Sequence, residues 1–394
     1  MGRIVTVVVT HDGACAGIVG PFSVDVPWWA QVEPVVAHLE ETLGVPVVVL
    51  RLLAVEGSAG ARDGHVTYHA EALKPPGDLP ASDFTDDDHP LRQPWARLPG
   101  VRELLGWASR QVDLTGRPVQ RKTWNLSGLF GLPTADGWVW LKAIPGFAAA
   151  EPAAIAAFAQ VDPDLVPAVV ASGPGRLLLA DVPGADCWDA SPRLAADAVH
   201  RLATAQARIG QPPSGLPDRR PEILAAAVHE LLDGPVGTEL SAAEVRAARS
   251  LRPRWEMLAD CGLPDVVVHG DFHPGNWRRG DGASVVLDFA DAHLGNPVLD
   301  GLRAIDFLPA SRRRPVAGAW IDAWTAAVPR SRPAEALRIA EPLAHLAYAV
   351  RYQEFLDNIE PSEHVYHAGD PAASIRAAIA CAAAQDGGYG RISI

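Results

Sequence analysis

The feature that most narrows the possible folds is a pair of short apolar runs, each breaking off into polar residues, between positions 266 and 300. Val266-Val267-Val268 feeds His269-Gly270-Asp271-Phe272-His273-Pro274-Gly275-Asn276, and Val285-Val286-Leu287 delivers Asp288-Phe289-Ala290. Short β-branched runs of this kind read as strands. The chain must therefore carry two short strands whose ends present acidic and amide groups.

Those residue types suit phosphoryl transfer. The reaction needs a carboxylate to hold and deprotonate an attacking hydroxyl, and oxygen ligands for Mg²⁺ on the phosphates. Asp271 suits the first role. Asn276 and Asp288 suit the second, because Mg²⁺ keeps several waters and needs few protein ligands when phosphates supply the rest. In the kinase pattern His precedes the base by two residues and Asn follows it by five, and His269, Asp271 and Asn276 keep that spacing. A metal site from His269, Asp271 and His273, or a plain polar turn, would leave Asn276 and Asp288 unexplained.

At these residues the chain resembles the aminoglycoside phosphotransferase family, whose loop reads like His269-Gly270-Asp271-x-His273-x-x-Asn276. The family's next motif reads like Asp288-Phe289-x-x-Ala292-x-x-Gly295-Asn296-Pro297-x-x-Asp300. Asn296 stands where the family usually has Asp, and Phe289 where it often has Trp. The resemblance covers roughly residues 120 to 360. It implies an α+β, protein-kinase-like bilobal fold with a β-rich N-lobe and a helical C-lobe, and supporting roles for His269 and Asp300. Nucleotide would lie between the lobes, with Mg²⁺ on its phosphates and ATP or GTP as donor.

A kinase also needs an N-lobe lysine for the α- and β-phosphates, paired with a glutamate. Lys142 ends the strand-like run Trp138-Val139-Trp140-Leu141-Lys142, in a chain whose only other lysines are Lys74 and Lys122. Downstream of it, Glu151 is the first acidic residue, and Pro152 places it at a helix start. Asn125 to Leu132 sits where a glycine-containing turn would cover the triphosphate, with Ser127 and Gly128 offering the backbone contacts. Leu177 to Gly184 resembles the family's interlobe hinge, with backbone groups of Asp181 and Val182 for a purine edge. For the acceptor, the late helix offers Tyr352, Gln353 and Glu354, and Arg303 lies beside the metal motif.

Before this region, β-branched runs at Ile4–Val9 and Val47–Leu53 flank a helical pattern of Val32, Val35, Val36, Leu39 and Leu43, closed by Gly44. This α/β unit resembles a Nudix-like domain at His38 to Val45. Between Trp28 and Gly44 only Glu33, Glu40 and Glu41 are acidic, so a non-catalytic cap is expected. The acidic stretch Ser82 to Pro90 reads as a linker. The expected domains are thus a cap over residues 1–90, an N-lobe over 91–182 and a C-lobe over 183–394.

A formal net charge of -13 argues against a nucleic-acid partner, which would need concentrated Lys and Arg. The Arg278-Arg279 and Arg312 to Arg314 runs read as solvated surface. Four scattered cysteines give neither zinc nor disulfide spacing, and no apolar run reaches membrane-spanning length. The expectation is a cytoplasmic small-molecule kinase. Its acceptor would be a hydroxyl of an aminoglycoside, a nucleoside or sugar antibiotic, or an amino sugar, with antibiotic resistance as one role. A non-catalytic nucleotide-binding regulator of the same fold is the alternative. Oligomeric state is not addressed by the sequence.

Overall fold

The structure is a computed structural model that describes residues 2–57, 60–280 and 282–387. The chain forms two compact units. One comprises Met1–Phe147, Val170–Asp181 and Phe355–Ala368; the other comprises Ala148–Val169, Val182–Glu354 and Gly369–Ile394.

The first unit opens with a mixed sheet of β1 (Arg3–His11), β2 (Ala14–Val24), β3 (Val47–Glu56) and β4 (His65–Ala72) in the order β2-β1-β4-β3. Helix α1 (Glu33–Leu43) stops at Gly44, whose positive φ of 68° lets its N–H bond back to the Glu40 carbonyl. The sequence reading lacks β2 and β4 for separate reasons. Gly17, Gly20 and Pro21 interrupt β2. In β4, His69 and Glu71 are polar yet buried, because both hydrogen-bond to the Thr10 hydroxyl on β1.

Helix α2 (Leu98–Ala108) leads to a second sheet of β5 (Val119–Trp124), β6 (Ser127–Thr134), β7 (Gly137–Ala143), β8 (Val169–Gly173) and β9 (Arg176–Ala180), ordered β5-β6-β7-β9-β8. The compact units do not divide at residue 90, and β3 supplies the physical reason. Its Val47, Val49 and Leu52 join the core under the first sheet, whereas Val48 and Leu50 pack with Trp95, Leu104, Phe130, Leu132, Leu141 and Leu178. A strand buried on both faces reads as a continuous apolar run, which Val47-Val48-Val49-Leu50 is. Gln120 reinforces the junction. Its side-chain amide accepts from the Val49 N–H at 2.9 Å and donates to the Val49 carbonyl at 2.7 Å, replacing a strand neighbour.

The stretch Ser82 to Pro90 is likewise held. Asp86 pairs with Arg51 and Arg92, each at 2.8 Å, and both arginines also pair with Glu360 at 3.4 and 3.1 Å. Tyr366 meets Trp29 and Trp124 edge-on, so residues 355–368 belong to this unit's core.

The second unit is helical around two small ribbons. Its helices are α3 (Glu151–Val161), α4 (Pro192–Arg208), α5 (Pro221–Asp233), α6 (Pro235–Thr238), α7 (Ala242–Arg249), α8 (Pro253–Ala259), α9 (Val298–Asp306), α10 (Ala310–Ala327), α11 (Pro333–Asp357) and α12 (Asp370–Asp386). One ribbon joins β10 (Ala185–Asp186), β13 (Trp277–Arg279) and β14 (Val285–Val286); the other joins β11 (Asp218–Arg219), β12 (Val266–Val268) and β15 (His293–Gly295). The expected short strands around the motif are β12 and β14. Their partners β13 and β15 carry no apolar run and so leave no trace in the pattern. Among the described residues no helix is long and apolar enough to cross a membrane.

Candidate active site

The site is built on the turn that leaves β12. Gly270 adopts φ 88°, and a Cβ there would lie 2.3 Å from the Asp291 carbonyl oxygen, so only glycine fits. The buried His269 donates from Nε2 to the Leu287 carbonyl (2.9 Å), and its Nδ1 accepts the Asp271 N–H (3.1 Å). These two bonds fix its tautomer. Asp300, in the first turn of α9, accepts from His269 N–H (2.7 Å), Gly270 N–H (2.9 Å) and Gln206 Nε2 (2.8 Å). Burial pushes the Asp300 carboxyl up, and these donors oppose that push by favouring its charged form.

Asp271 is engaged through both of its carboxylate oxygens. Its Oδ1 accepts from Nε and Nη2 of Arg303 at 2.8 and 2.6 Å. Its Oδ2 faces Asn276 Nδ2 at 3.2 Å and His273 Nε2 at 3.3 Å. His273 Nδ1 accepts the Gly275 N–H at 3.1 Å, which leaves the ring proton on Nε2, toward Asp271. Burial pushes the Asp271 carboxyl up, yet His273 and Arg303 together hold it well below the usual carboxylate range. Arg303 keeps its charge despite burial, through Tyr348 and Asp271.

Asn276 also donates Nδ2 to the Asp271 carbonyl at 2.9 Å, so its side-chain oxygen is the atom it can offer a cation. Its own carbonyl accepts the Leu287 N–H at 2.8 Å, placing Asn276 alongside the segment that carries Asp288. Asp288 has φ 63°, a conformation costing a non-glycine residue about 1–3 kcal/mol. The next residue, Phe289, packs on His269 and Phe158, and its N–H donates to Glu151 Oε1 at 3.1 Å. An amide oxygen and a carboxylate on adjoining segments are the hard donors that Mg²⁺ takes, so these residues fit the ion.

The remaining candidates are placed as follows. Lys142 lies on β7, the middle strand of its sheet, and is buried. Glu151 opens α3, fully buried. The hairpin turn before β6 is Asn125-Leu126, and Ser127 and Gly128 open β6, because β5 runs to Trp124 and pairs with Ser127. The Ser127 hydroxyl accepts from Trp124 Nε1, and the buried Gly128 lies against the Trp95 ring. The Asp181 carboxylate accepts from Trp140 Nε1 at 2.7 Å, and the Val182 carbonyl accepts from Arg278.

Of the acceptor candidates, Arg303 is bound to Asp271, and Glu354 accepts from Arg219 (2.6 Å) and Arg351 (2.8 Å). Tyr352 and Gln353 are half-buried, and burial pushes the Tyr352 phenol up. Arg312 and Arg313, read as solvated surface, donate to the Trp188 and Leu308 carbonyls. In the first unit Glu33 pairs with Arg121, and Glu40 with Arg117, so two of the α1 carboxylates are engaged in ion pairs.

Sequence reasoning gave His273 and Gln206 no role at Asp271 and Asp300. The second histidine of the loop motif was a visible signal for His273; nothing local marks Gln206.

Residues 142–343 match the family model of the phosphotransferase enzyme family. Over 189 residues the chain is 33% identical to a glucosamine kinase of Mycolicibacterium smegmatis, covering 46% of this chain and 37% of that protein. Over 164 residues it is 34% identical to a glucosamine kinase of Streptacidiphilus jiangxiensis, covering 33% and 35%. The matches thus span little more than a third of these curated relatives. Among solved structures, a choline kinase of Streptococcus pneumoniae shares the fold with TM-score 0.53 and 11% identity, over 71% of this chain and 99% of that one.

Proposed function

Since the chain belongs to the phosphotransferase enzyme family, we propose that it transfers the γ-phosphate of a nucleoside triphosphate to a hydroxyl of an amino sugar. The observation that carries this reading is Asp271, kept ionised at the end of β12 beside Asn276 and the Asp288 segment. The amino-sugar acceptor is supported by the two glucosamine kinases that share about a third of their aligned residues with this chain.

In this reading the acceptor hydroxyl hydrogen-bonds to Asp271 while its oxygen attacks the γ-phosphorus. The bond from γ-phosphorus to the β–γ bridging oxygen breaks, a nucleoside diphosphate leaves, and the hydroxyl proton passes to Asp271. An ionised carboxylate offers about four lone-pair sites, and Arg303, His273 and Asn276 already direct four donor contacts at them. The hydroxyl must therefore displace one donor. A carboxylate held this far down is a weak base, so its main work is to orient the hydroxyl, which suits a loose phosphoryl-transfer transition state. Mg²⁺ on Asn276 and Asp288 would neutralise charge on the phosphates, and Lys142 is assigned to the donor's α- and β-phosphates.

The test is transfer of labelled γ-phosphate from MgATP and MgGTP to glucosamine, aminoglycosides, nucleoside antibiotics and amino alcohols, with Asp271→Asn beside the wild type. Loss of about 10²–10⁴-fold is expected in the variant. Transfer that survives it undiminished would remove Asp271 from the mechanism, and nucleotide binding without transfer to any acceptor would indicate a non-catalytic protein.

A further inference from the structure

We infer that Trp188 and Phe307 form an apolar platform beside Asp271 that seats the neutral face of a pyranose ring, and so select a cyclic acceptor over an acyclic amino alcohol. This rests on the transferase reading and names residues that would make it specific.

Trp188 and Phe307 are 43% and 39% exposed. They meet each other at 5.9 Å between centroids and meet His273 at 5.2 and 4.6 Å. His273 in turn reaches Asp271 with Nε2 at 3.3 Å. The exposed aromatic surface is thus one side chain away from the carboxylate.

The platform is fixed in place. A Cβ on Gly275 would lie 2.5 Å from the Trp188 ring, so the indole rests directly on the loop backbone, and Arg312 donates to the Trp188 carbonyl at 3.1 Å. A rigid aromatic surface loses little freedom when a ligand docks on it.

The charge pattern selects the occupant. Aromatic faces attract cations, which would suit a quaternary or primary ammonium. Here the Arg303 guanidinium already lies 4.4 Å from the Phe307 centroid and 4.4 Å from that of Tyr348. A second cation on that surface meets like charge. The neutral C–H face of a sugar ring does not, so the amine of an amino sugar points away from the platform.

The experiment titrates glucosamine and, separately, ethanolamine into wild type, Trp188→Ala and Trp188→Phe, following ligand protons by saturation-transfer NMR and recording phosphate transfer alongside. Glucosamine is expected to bind the wild type through its ring protons. Its affinity should fall about tenfold in the alanine variant and largely return in the phenylalanine variant, with the loss in transfer expressed in KM more than in kcat. Equal affinity in wild type and Trp188→Ala, no binding of glucosamine to wild type, or Trp188-dependent binding of ethanolamine instead, would each overturn the inference. Trp188-dependent glucosamine binding without any transfer would support the platform while defeating the transferase reading.

Discussion

Arg303 places both Nε and Nη2 on a single oxygen of Asp271, at 2.8 and 2.6 Å, while its guanidinium lies over Phe307 and Tyr348. The arginine thereby holds the carboxylate's charge as well as its orientation. Replacing it with methionine removes the charge and keeps much of the volume. The folded pKa of Asp271 is depressed, so losing a depressing partner raises it, and the acid limb of kcat/KM should move to higher pH. Arg303→Lys should restore part of the shift. A pH profile identical to wild type in Arg303→Met would show that the arginine does not set this group.

Glu151 bonds the N–H of Phe289, the residue that follows the left-handed Asp288. Removing the carboxylate leaves a buried donor unsatisfied and frees the segment that presents Asp288. With a hydrogen bond to a charged group worth about 1.5–3 kcal/mol, Glu151→Ala should raise the Mg²⁺ concentration needed for half-maximal transfer by roughly tenfold or more. An Mg²⁺ titration unaffected by the change would argue that Asp288 is held by other contacts.

Gly270 combines φ 88° with a Cβ position 2.3 Å from the Asp291 carbonyl oxygen, which is backbone and cannot swing aside. Gly270→Ala should lower stability by about 1–3 kcal/mol from the left-handed conformation alone, before the clash adds to it. Denaturant unfolding measures this directly, and unchanged stability would contradict the described turn.

Glu363 is buried in the first unit, where its carboxyl accepts the Leu52 N–H at 3.4 Å. Burial, with Glu360 adding to it, pushes this carboxyl up to about 8 from an ordinary 4.5. The sign follows from linkage. A folded-state pKa above the unfolded one gives stability that is complete below about 4.5 and is lost as pH rises through about 8. The melting temperature of Glu363→Gln relative to wild type should therefore increase from pH 5 to pH 9. A difference that stays constant over that range would mean that Glu363 does not titrate there.

Much of the local scaffold was legible because it rests on residues close in sequence. Gly44 closed α1, Pro152 placed Glu151 at a helix start, and the run Val266–Val268 formed the strand that delivers the loop. The unread parts are those in which one segment completes another. β4 hides His69 and Glu71 by bonding them to Thr10. Ser82 to Pro90 looked like a linker because Asp86 finds its partners outside that stretch, at Arg51, His69 and Arg92. β5 went unread because this polar edge strand, Val119-Gln120-Arg121-Lys122-Thr123-Trp124, has no apolar alternation to announce it.

The sequence by itself determined which atoms the site offers: a carboxylate at Asp271, an amide at Asn276 and a second carboxylate at Asp288, at spacings fixed by one strand and one short loop. Only the tertiary structure decided what those atoms face. The Arg303 guanidinium that holds Asp271, the Gln206 amide on Asp300, the Glu151 carboxylate under Phe289 and the Trp188 ring against Gly275 all come from other elements of the fold. Local backbone preference acts over a few residues, whereas these contacts exist only once helices and ribbons have packed, so no periodicity in the chain encodes them.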